Sequence, residues 1–409
     1  MRNLYLFPNN YPYGNGETFL ADELQYLSQA FDNVYIVPLW VNGDKREIPY
    51  ENVQLENPIL GFNPKKKIRL LLSGIFNLSP LPNIFNELHK SKHIECRFKR
   101  KLWLIITSVL ITRNILSSKK FKKTVKKMTP NDLCYFYWGD TTANALPFLK
   151  RKNKNSPKSI SRFHGSDLYH HAKGYIPFRN RLLEALDIVC AISKNGADYL
   201  ERIYPNIHNK LIISRLGSKD LGIENFAESD CFRILTCSNI IQLKRLDLLA
   251  NALKLIKNKR IIWTHIGDGP MKSQVLEITK SFGDNISVDF KGLMKHDKLL
   301  EFIKNSSFDV FINTSSSEGV PVSIMEAISF GIPVIATDVG GTSEIVNANT
   351  GFLISKDTTP EQLKDKITEF LSLNKSIISQ LRASARKEWE LHWNMCVNYR
   401  KFTDFISNC

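Results

Sequence analysis

Two glutamates eight positions apart, Glu318 and Glu326, are the residues of this 409-residue chain whose type and spacing most directly suggest chemistry. They lie in NTSSSEGVPVSIMEAISFG, residues 313–331, between a short apolar run and a glycine. Pro321 suits the first turn of a helix and Gly331 its end. Val322, Ile324, Met325, Ala327, Ile328 and Phe330 leave that helix apolar nearly all round, which predicts that it is buried. Glu326 is then a carboxylate on a buried helix, which is costly unless something hydrogen-bonds it. A vicinal diol such as that of ribose offers two donors to its two oxygens, and a structural arginine or the backbone would also satisfy it. One turn back, the unbonded N–H groups around Val322 and Ser323, preceded by Gly319, sit at the positive end of the helix dipole and form a phosphate site. Diol and phosphate on neighbouring turns describe a nucleoside diphosphate. Glu318, in the loop before the helix, either meets a group beyond the phosphates or is a solvated acid.

Other segments fall where open α/β sheets place ligands, beyond the carboxyl ends of strands. An apolar run ending at Cys237 leads into Ser238, Asn239 and then Lys244 and Arg245, and another ending at Phe163 leads into His164-Gly165-Ser166-Asp167. The first apolar run leads into NNYPYGNGET, with Gly14 and Gly16. Adjacent His170 and His171 cannot share one helix face. With no C-x-x-C or D-x-D nearby, a metal site with His164 is not expected.

The pair Glu318 and Glu326 resembles the E-x7-E motif of retaining glycosyltransferases with the GT-B fold, and the surrounding residues resemble glycosyltransferase family 4. PVIATDVGGTSEI, residues 333–345, resembles that family's segment closing the donor site, and IGDGPM, residues 266–271, resembles its glycine-rich turn, with Gly267 inside it. Gly292 in VDFKGLMKHDKLL stands where the family has a strand-end glycine beside the nucleobase. The resemblance implies two Rossmann-like doubly wound domains facing across a cleft. It implies that Glu326 holds the nucleotide ribose, that Glu318 contacts donor-sugar hydroxyls, and that Lys244 meets the diphosphate. Asn239 replaces the arginine usual at its position, so Arg245 is the substitute expected for it. Gly14 and Gly16 resemble the loop that lets backbone approach donor phosphates and acceptor, and His164 resembles the histidine that reaches the donor sugar. The reaction implied is transfer of a hexose-type sugar with retention, without a metal or other cofactor, the leaving phosphate oxygen taking the acceptor proton.

Positioning these residues requires parallel sheets. Short β-branched or aromatic runs alternate with amphipathic stretches, which predicts α/β architecture with strands near 4–7, 34–39, 133–137, 160–163, 188–192 and 211–214, then near 233–237, 261–266, 287–290, 310–313 and 333–337. The length exceeds what one core usually supports. Between 218 and 230 the periodicity breaks, so the expected domains are an acceptor-binding 1–222 and a nucleotide-sugar-binding 223–384. Residues 385–409, with Trp389, Trp393, Tyr399 and Phe402, are expected as a terminal helix packing back on the first domain.

The net charge is +16, and residues 64–127 carry 17 Lys or Arg against only Glu87 and Glu95, so +15 of it lies in this segment. Such a patch suits an anionic partner. The runs at 65–72 and 99–113 alternate cations with apolar residues, and a polyprenyl-diphosphate-linked or glycan acceptor would place the protein at an anionic membrane surface. The residues at 102–110 are expected to form a core helix flanked by solvated cations. Seven unpatterned cysteines suit a reduced compartment, no secretory signal is read at the N-terminus, and the longest apolar run, 11 residues, falls short of the roughly 20 a spanning helix needs. A cytoplasmic protein on the inner face of the membrane follows. Three rivals stay open: a nucleic-acid-binding protein, for which no base-reading motif is found, a GT-B-fold sugar-nucleotide epimerase, and a catalytically weak homologue.

Overall fold

The computed structural model describes residues 2–61, 81–92, 94–152 and 155–409. The chain divides into two compact units, Met1–Ser214 with Tyr399–Cys409, and Arg215–Asn398.

The N-terminal unit is built on seven strands: β1 (Asn3–Phe7), β2 (Asn33–Ile36), β3 (Val53–Leu55), β4 (Leu133–Phe136), β5 (Lys158–Phe163), β6 (Ile188–Ala191) and β7 (Leu211–Ile213). They lie in the order β3-β2-β1-β4-β5-β6-β7, and each neighbouring pair is parallel. The sequence LCYF of β4 is buried along its whole length, as expected for a strand with helices on both sheet faces. Strand order reverses between β1 and β4, which opens a crevice at their carboxyl ends.

The C-terminal unit repeats this logic with β8 (Phe232–Cys237), β9 (Ile261–Ile266), β10 (Ile286–Gly292), β11 (Val310–Asn313), β12 (Val334–Thr337) and β13 (Gly351–Ile354). Their order is β10-β9-β8-β11-β12-β13, again parallel throughout. The reversal falls between β8 and β11, the two strands that lead into Lys244 and Glu318. Both units are Rossmann-like.

Several expectations need correction. The edge strands β3 and β13 were not foreseen: VQL offers a single apolar–polar–apolar alternation, and GFLI opens on Gly351, a residue type depleted in strands. Strand β2 ends at Ile36 rather than near 39; Pro38, which has no N–H, follows closely. The units divide between Ser214 and Arg215 rather than at 222/223. Ser218 explains this: its N–H donates to the Trp393 carbonyl at 3.0 Å, its hydroxyl accepts from Trp389 Nε1 at 2.7 Å, and its carbonyl accepts from Met395 N at 3.1 Å. The tail is two helices, Lys375–His392 and Met395–Ser407, rather than one from 385. Its aromatics are shared out accordingly, Trp389 and Trp393 to the C-terminal unit and Tyr399 and Phe402 to the N-terminal one.

The basic run at 64–67 and the segment 65–72 lie outside the described residues. Beyond them, helices Leu81–Lys90, Phe98–Ser117 and Lys119–Lys127 follow. The stretch 102–110 is not a buried core helix. Within Phe98–Ser117 only Lys101, Ile105, Thr112 and Ile115 are buried. A helix at the surface of a unit turns a single stripe inward. Phe98 is 66% exposed and Trp103 48%. Lys101 is inside, its ammonium donating to the Ser91 and Ile94 carbonyls at 2.8 and 2.7 Å. Among the described residues no helix is long and apolar enough to cross a membrane.

One buried charge organises the N-terminal core. Arg162 on β5 is fully buried, 2.7 Å from Glu23 Oε2 and 2.9 Å from Ser214 Oγ, with its guanidinium 4.0 Å from the centre of the Phe402 ring. Glu23 projects from helix Thr18–Ala30. Removing one member of such a pair strands a charge in low dielectric. Glu23→Ala should therefore lower unfolding stability in urea by about 3–5 kcal/mol, and Glu23→Ala with Arg162→Met should recover most of it. Equal losses in the single and double variants would show that the charge is not what matters.

Candidate functional site

At the β8/β11 reversal two loops are sewn together. The Thr314 hydroxyl donates to the carbonyls of Lys244 and Arg245 at 2.9 and 3.0 Å, and Ser316 N donates to Leu243 O at 2.8 Å. This stitching brings the Lys244 ammonium to 2.5 Å from Glu318 Oε1. The same oxygen accepts from Ser315 Oγ at 2.6 Å and from Asn313 Nδ2 at 3.4 Å. Glu318 is therefore a fixed, hydrogen-bonded member of the site rather than a solvated loop acid.

Helix Val322–Ser329 begins after Pro321, and its first bonds run from Ile324 N and Met325 N to the Pro321 carbonyl. The N–H groups of Val322 and Ser323 precede those bonds and form the anion-attracting end. Glu326 is buried in this helix, as its apolar surroundings predict. Among the described residues its carboxylate is met neither by an arginine nor by backbone. His296 Nε2 stands 2.6 Å from Glu326 Oε1. Sequence reasoning missed His296. The available signal was its place, four residues beyond the strand-end Gly292 and at the first turn of helix His296–Lys304.

Gly267 and Gly340 explain how close the strand-end loops lie. A Cβ on Gly267, which has φ +143°, would stand 1.9 Å from the Ser238 carbonyl oxygen. One on Gly340, at φ +57°, would stand 1.9 Å from the Glu318 carbonyl. Around them Ser238 N donates to Ile266 O at 3.1 Å, Gly267 N to Gly292 O at 2.9 Å, and Gly341 N to Gly319 O at 2.7 Å. The glycine-rich turn and the VGGTSE segment thus fix the backbone under and beside Glu318. Gly292 turns at φ +72° with open space where its side chain would be.

Arg245 does not stand ready for a phosphate. Its Nε donates to Thr314 O at 2.7 Å, Nη1 to Lys356 O at 2.7 Å and Nη2 to Ser315 O at 3.4 Å, so its guanidinium ties three strand-end segments. Asn239 is exposed. Lys244 remains the cation directed at Glu318.

The N-terminal unit has its own arrangement at the β1/β4 reversal. A Cβ on Gly14 would meet Asn42 O at 2.1 Å, so backbone of the 42–44 turn lies close to it, and Gly16 faces open space. The residue that organises this loop is Glu17, also unforeseen. Its carboxylate accepts from the N–H groups of Asn9, Asn10 and Tyr11 at 2.8, 2.8 and 2.6 Å and from Trp138 Nε1 at 2.5 Å. It joins the loop after β1 to the loop after β4.

His164 follows β5 and packs against the rings of Tyr137 and Trp138, at 4.9 and 4.7 Å between centroids. It is buried, and neither ring nitrogen has a hydrogen-bond partner among the described residues. Such an imidazole is a candidate ligand-binding group. Asp167 fixes its backbone, accepting from His164 N at 2.7 Å and Gly139 N at 2.5 Å. Burial, then the neighbouring Asp140, pushes the Asp167 carboxyl up to about 7. His170 is structural, 2.9 Å from the Tyr204 hydroxyl and accepting from Ile176 N at 3.0 Å. Among the described residues no group of three or more His, Cys, Asp or Glu could hold a metal ion.

Burial, reinforced by Arg162, lowers the His164 pKa from 6.5 to about 3. Between those values the unfolded chain binds a proton that the folded chain refuses, so stability falls as pH drops through this window. The wild type should lose up to about 1.4 kcal/mol more per pH unit there than His164→Gln, measured by urea titration. Parallel profiles would show that the imidazole takes up its proton in the folded state.

Residues 223–388 match the family described as glycosyl transferases group 1. An uncharacterized glycosyltransferase of Methanocaldococcus jannaschii is 29% identical over 264 residues, covering 63% of this chain and 71% of that protein. The amylovoran biosynthesis glycosyltransferase AmsK of Erwinia amylovora is 23% identical over 293 residues, covering 67% and 69%. Among solved structures, Anabaena HepE in complex with UDP matches over 100% of both chains with a TM-score of 0.65 at 15% identity, a likeness of fold. The chain is a glycosyltransferase with the GT-B fold, and its residues 223–388 match the group 1 glycosyl transferases.

Proposed function

We propose that this chain is a retaining, metal-independent hexosyltransferase of family 4 type that uses a UDP- or GDP-sugar and acts on a lipid-linked or glycan acceptor in cell-surface polysaccharide biosynthesis. The observation that carries the proposal is the 2.5 Å pair of Lys244 and Glu318 at the β8/β11 reversal, in the loops flanking the helix that bears Glu326. The UDP held by HepE and the amylovoran role of AmsK support the donor and pathway classes.

In this reading Glu326 accepts from the ribose hydroxyls, and the N–H groups of Val322 and Ser323 receive the diphosphate. Lys244 meets the charge that grows on the leaving oxygen, while Glu318 aims its ammonium and accepts from a donor-sugar hydroxyl. The acceptor oxygen forms its bond to the anomeric carbon as the carbon–phosphate-oxygen bond breaks. That departing oxygen takes the acceptor proton on the same face, so charge and protons balance without a protein base. Each preorganised donor of this kind is typically worth about a hundredfold to a thousandfold in rate. His164 serves as a ligand-binding group of the N-terminal unit.

The acceptor chemistry gives the basic segment a use. Exposed Phe98 and Trp103 accompany Lys99 and Arg100 on one helix, and exposed lysines line Lys119–Lys127, a combination suited to the inner face of an anionic membrane.

Calorimetry with UDP, GDP, ADP and TDP in EDTA tests the donor site. One diphosphate should bind the wild type and, at a hundred times its Kd, stabilise it by about 2.7 kcal/mol. Glu326→Ala should weaken that binding by about a hundredfold, and Lys244→Ala should lower kcat by about a hundredfold or more. A requirement for a divalent ion would overturn the metal-independent reading. Separately, retention on anionic vesicles should fall steeply with salt and exceed retention on DNA; the opposite preference would exclude the membrane assignment.

A further inference from the structure

His296 is absent from the roles given above, yet it makes the one hydrogen bond that a described side chain offers to the Glu326 carboxylate, at 2.6 Å. The two groups differ in surroundings. The Glu326 side chain is 8% exposed and the His296 side chain 43%. A histidine half in solvent gains little by reaching inward, whereas a carboxylate inside an apolar helix gains much from a donor. The contact serves the glutamate.

We propose that His296 is the positioning residue for ribose recognition, its Nε2–H holding Oε1 so that Glu326 presents Oε2 and its remaining lone pairs to both hydroxyls of a nucleotide's vicinal diol. This rests on the reading of Glu326 as the ribose ligand.

Three features support it. A free carboxylate rotates about its last torsion, which is broad and nearly twofold, so an unanchored Glu326 would spread over several orientations. A 2.6 Å bond to one oxygen selects one of them. An ionised carboxylate offers about four lone-pair sites, so the imidazole and two hydroxyls can be accommodated together. The imidazole is itself held by fixed backbone: it opens helix His296–Lys304, whose Leu299, Leu300 and Ile303 are buried. The segment leading to it leaves β10 at a bulge between Phe290 and Gly292, and Gly292 N–C geometry turns the chain at φ +72°. Gly292 O accepts from Gly267 N at 2.9 Å, tying the same segment to the β9 end. His296 therefore reaches Glu326 from a second strand-end loop anchored independently of the Val322–Ser329 helix.

The test compares the tightest-binding of UDP, GDP and ADP with its 2′,3′-dideoxy counterpart by calorimetry. The wild type should prefer the ribose form by on the order of a hundredfold, and Glu326→Ala should abolish the preference. His296→Ala should shrink the preference by about tenfold while leaving the Kd of the dideoxy ligand unchanged, and His296→Gln, which keeps an N–H donor, should restore most of it. The double variant His296→Ala with Glu326→Ala should match Glu326→Ala alone. Loss of affinity for both ligands alike in His296→Ala, or an undiminished preference, would overturn the assignment of His296 while leaving Glu326 as the ribose ligand. A wild type that binds no diphosphate, or binds both forms equally, overturns the Glu326 reading and this inference with it.

Discussion

Backbone lying directly on backbone at the carboxyl ends of parallel strands is the constraint on which the C-terminal unit depends. At Gly267 and Gly340 a single added carbon would lie 1.9 Å from a carbonyl oxygen, so these loops close only where no side chain exists. The contact at Gly340 is with the carbonyl of Glu318 itself. The two loops of the β8/β11 reversal are then locked by Thr314 and Arg245, whose polar groups are satisfied by carbonyls of neighbouring segments. A carboxylate and an ammonium can face each other at 2.5 Å because the backbone beneath both is held this tightly.

The N-terminal unit solves a similar problem with charge in place of glycine. Glu17 gathers three backbone N–H groups and an indole N–H, and Asp167 gathers two more, so that the loops after β1, β4 and β5 are joined through carboxylates. Beneath them the Arg162 and Glu23 pair, with Phe402 on the guanidinium, links strand, helix and the returning C-terminal segment in one desolvated cluster. Anionic residues thus do structural work in a chain whose net charge is strongly positive. The surplus cations are concentrated elsewhere, largely on helices whose outer faces also expose Phe98 and Trp103.

The two kinds of loop also divide the polar groups into those already satisfied and those still open. Arg245, His170 and Lys101 have protein partners and act as ties. His164 is buried with both ring nitrogens unmet among the described residues, and the N–H groups of Val322 and Ser323 come before the first intrahelical bonds. Groups of the second kind are where a ligand gains most, because its hydrogen bonds replace none that the protein already makes.

The sequence by itself determined the α/β class, eleven of the thirteen strands among the described residues, and the placement of Glu318 and Lys244 in loops beyond strand ends and of Glu326 on a buried helix. Those features rest on short-range periodicity and on turn residues, which the local order of amino acids carries directly. Strands β3 and β13 lack that signal, one a bare VQL and the other opening on a glycine, and the boundary at Ser214 and the split of the tail depend on which core buries Trp389, Trp393, Tyr399 and Phe402, a matter of distant packing. Tertiary structure alone decided which polar residues are occupied. Arg245 looked like a phosphate ligand because its sequence neighbours do, but three carbonyls from other loops claim it. His296 was not singled out by its local sequence, and it meets a glutamate thirty residues away. Hydrogen-bond partnership between strand-end loops is fixed by strand order, and strand order is a property of the assembled sheet.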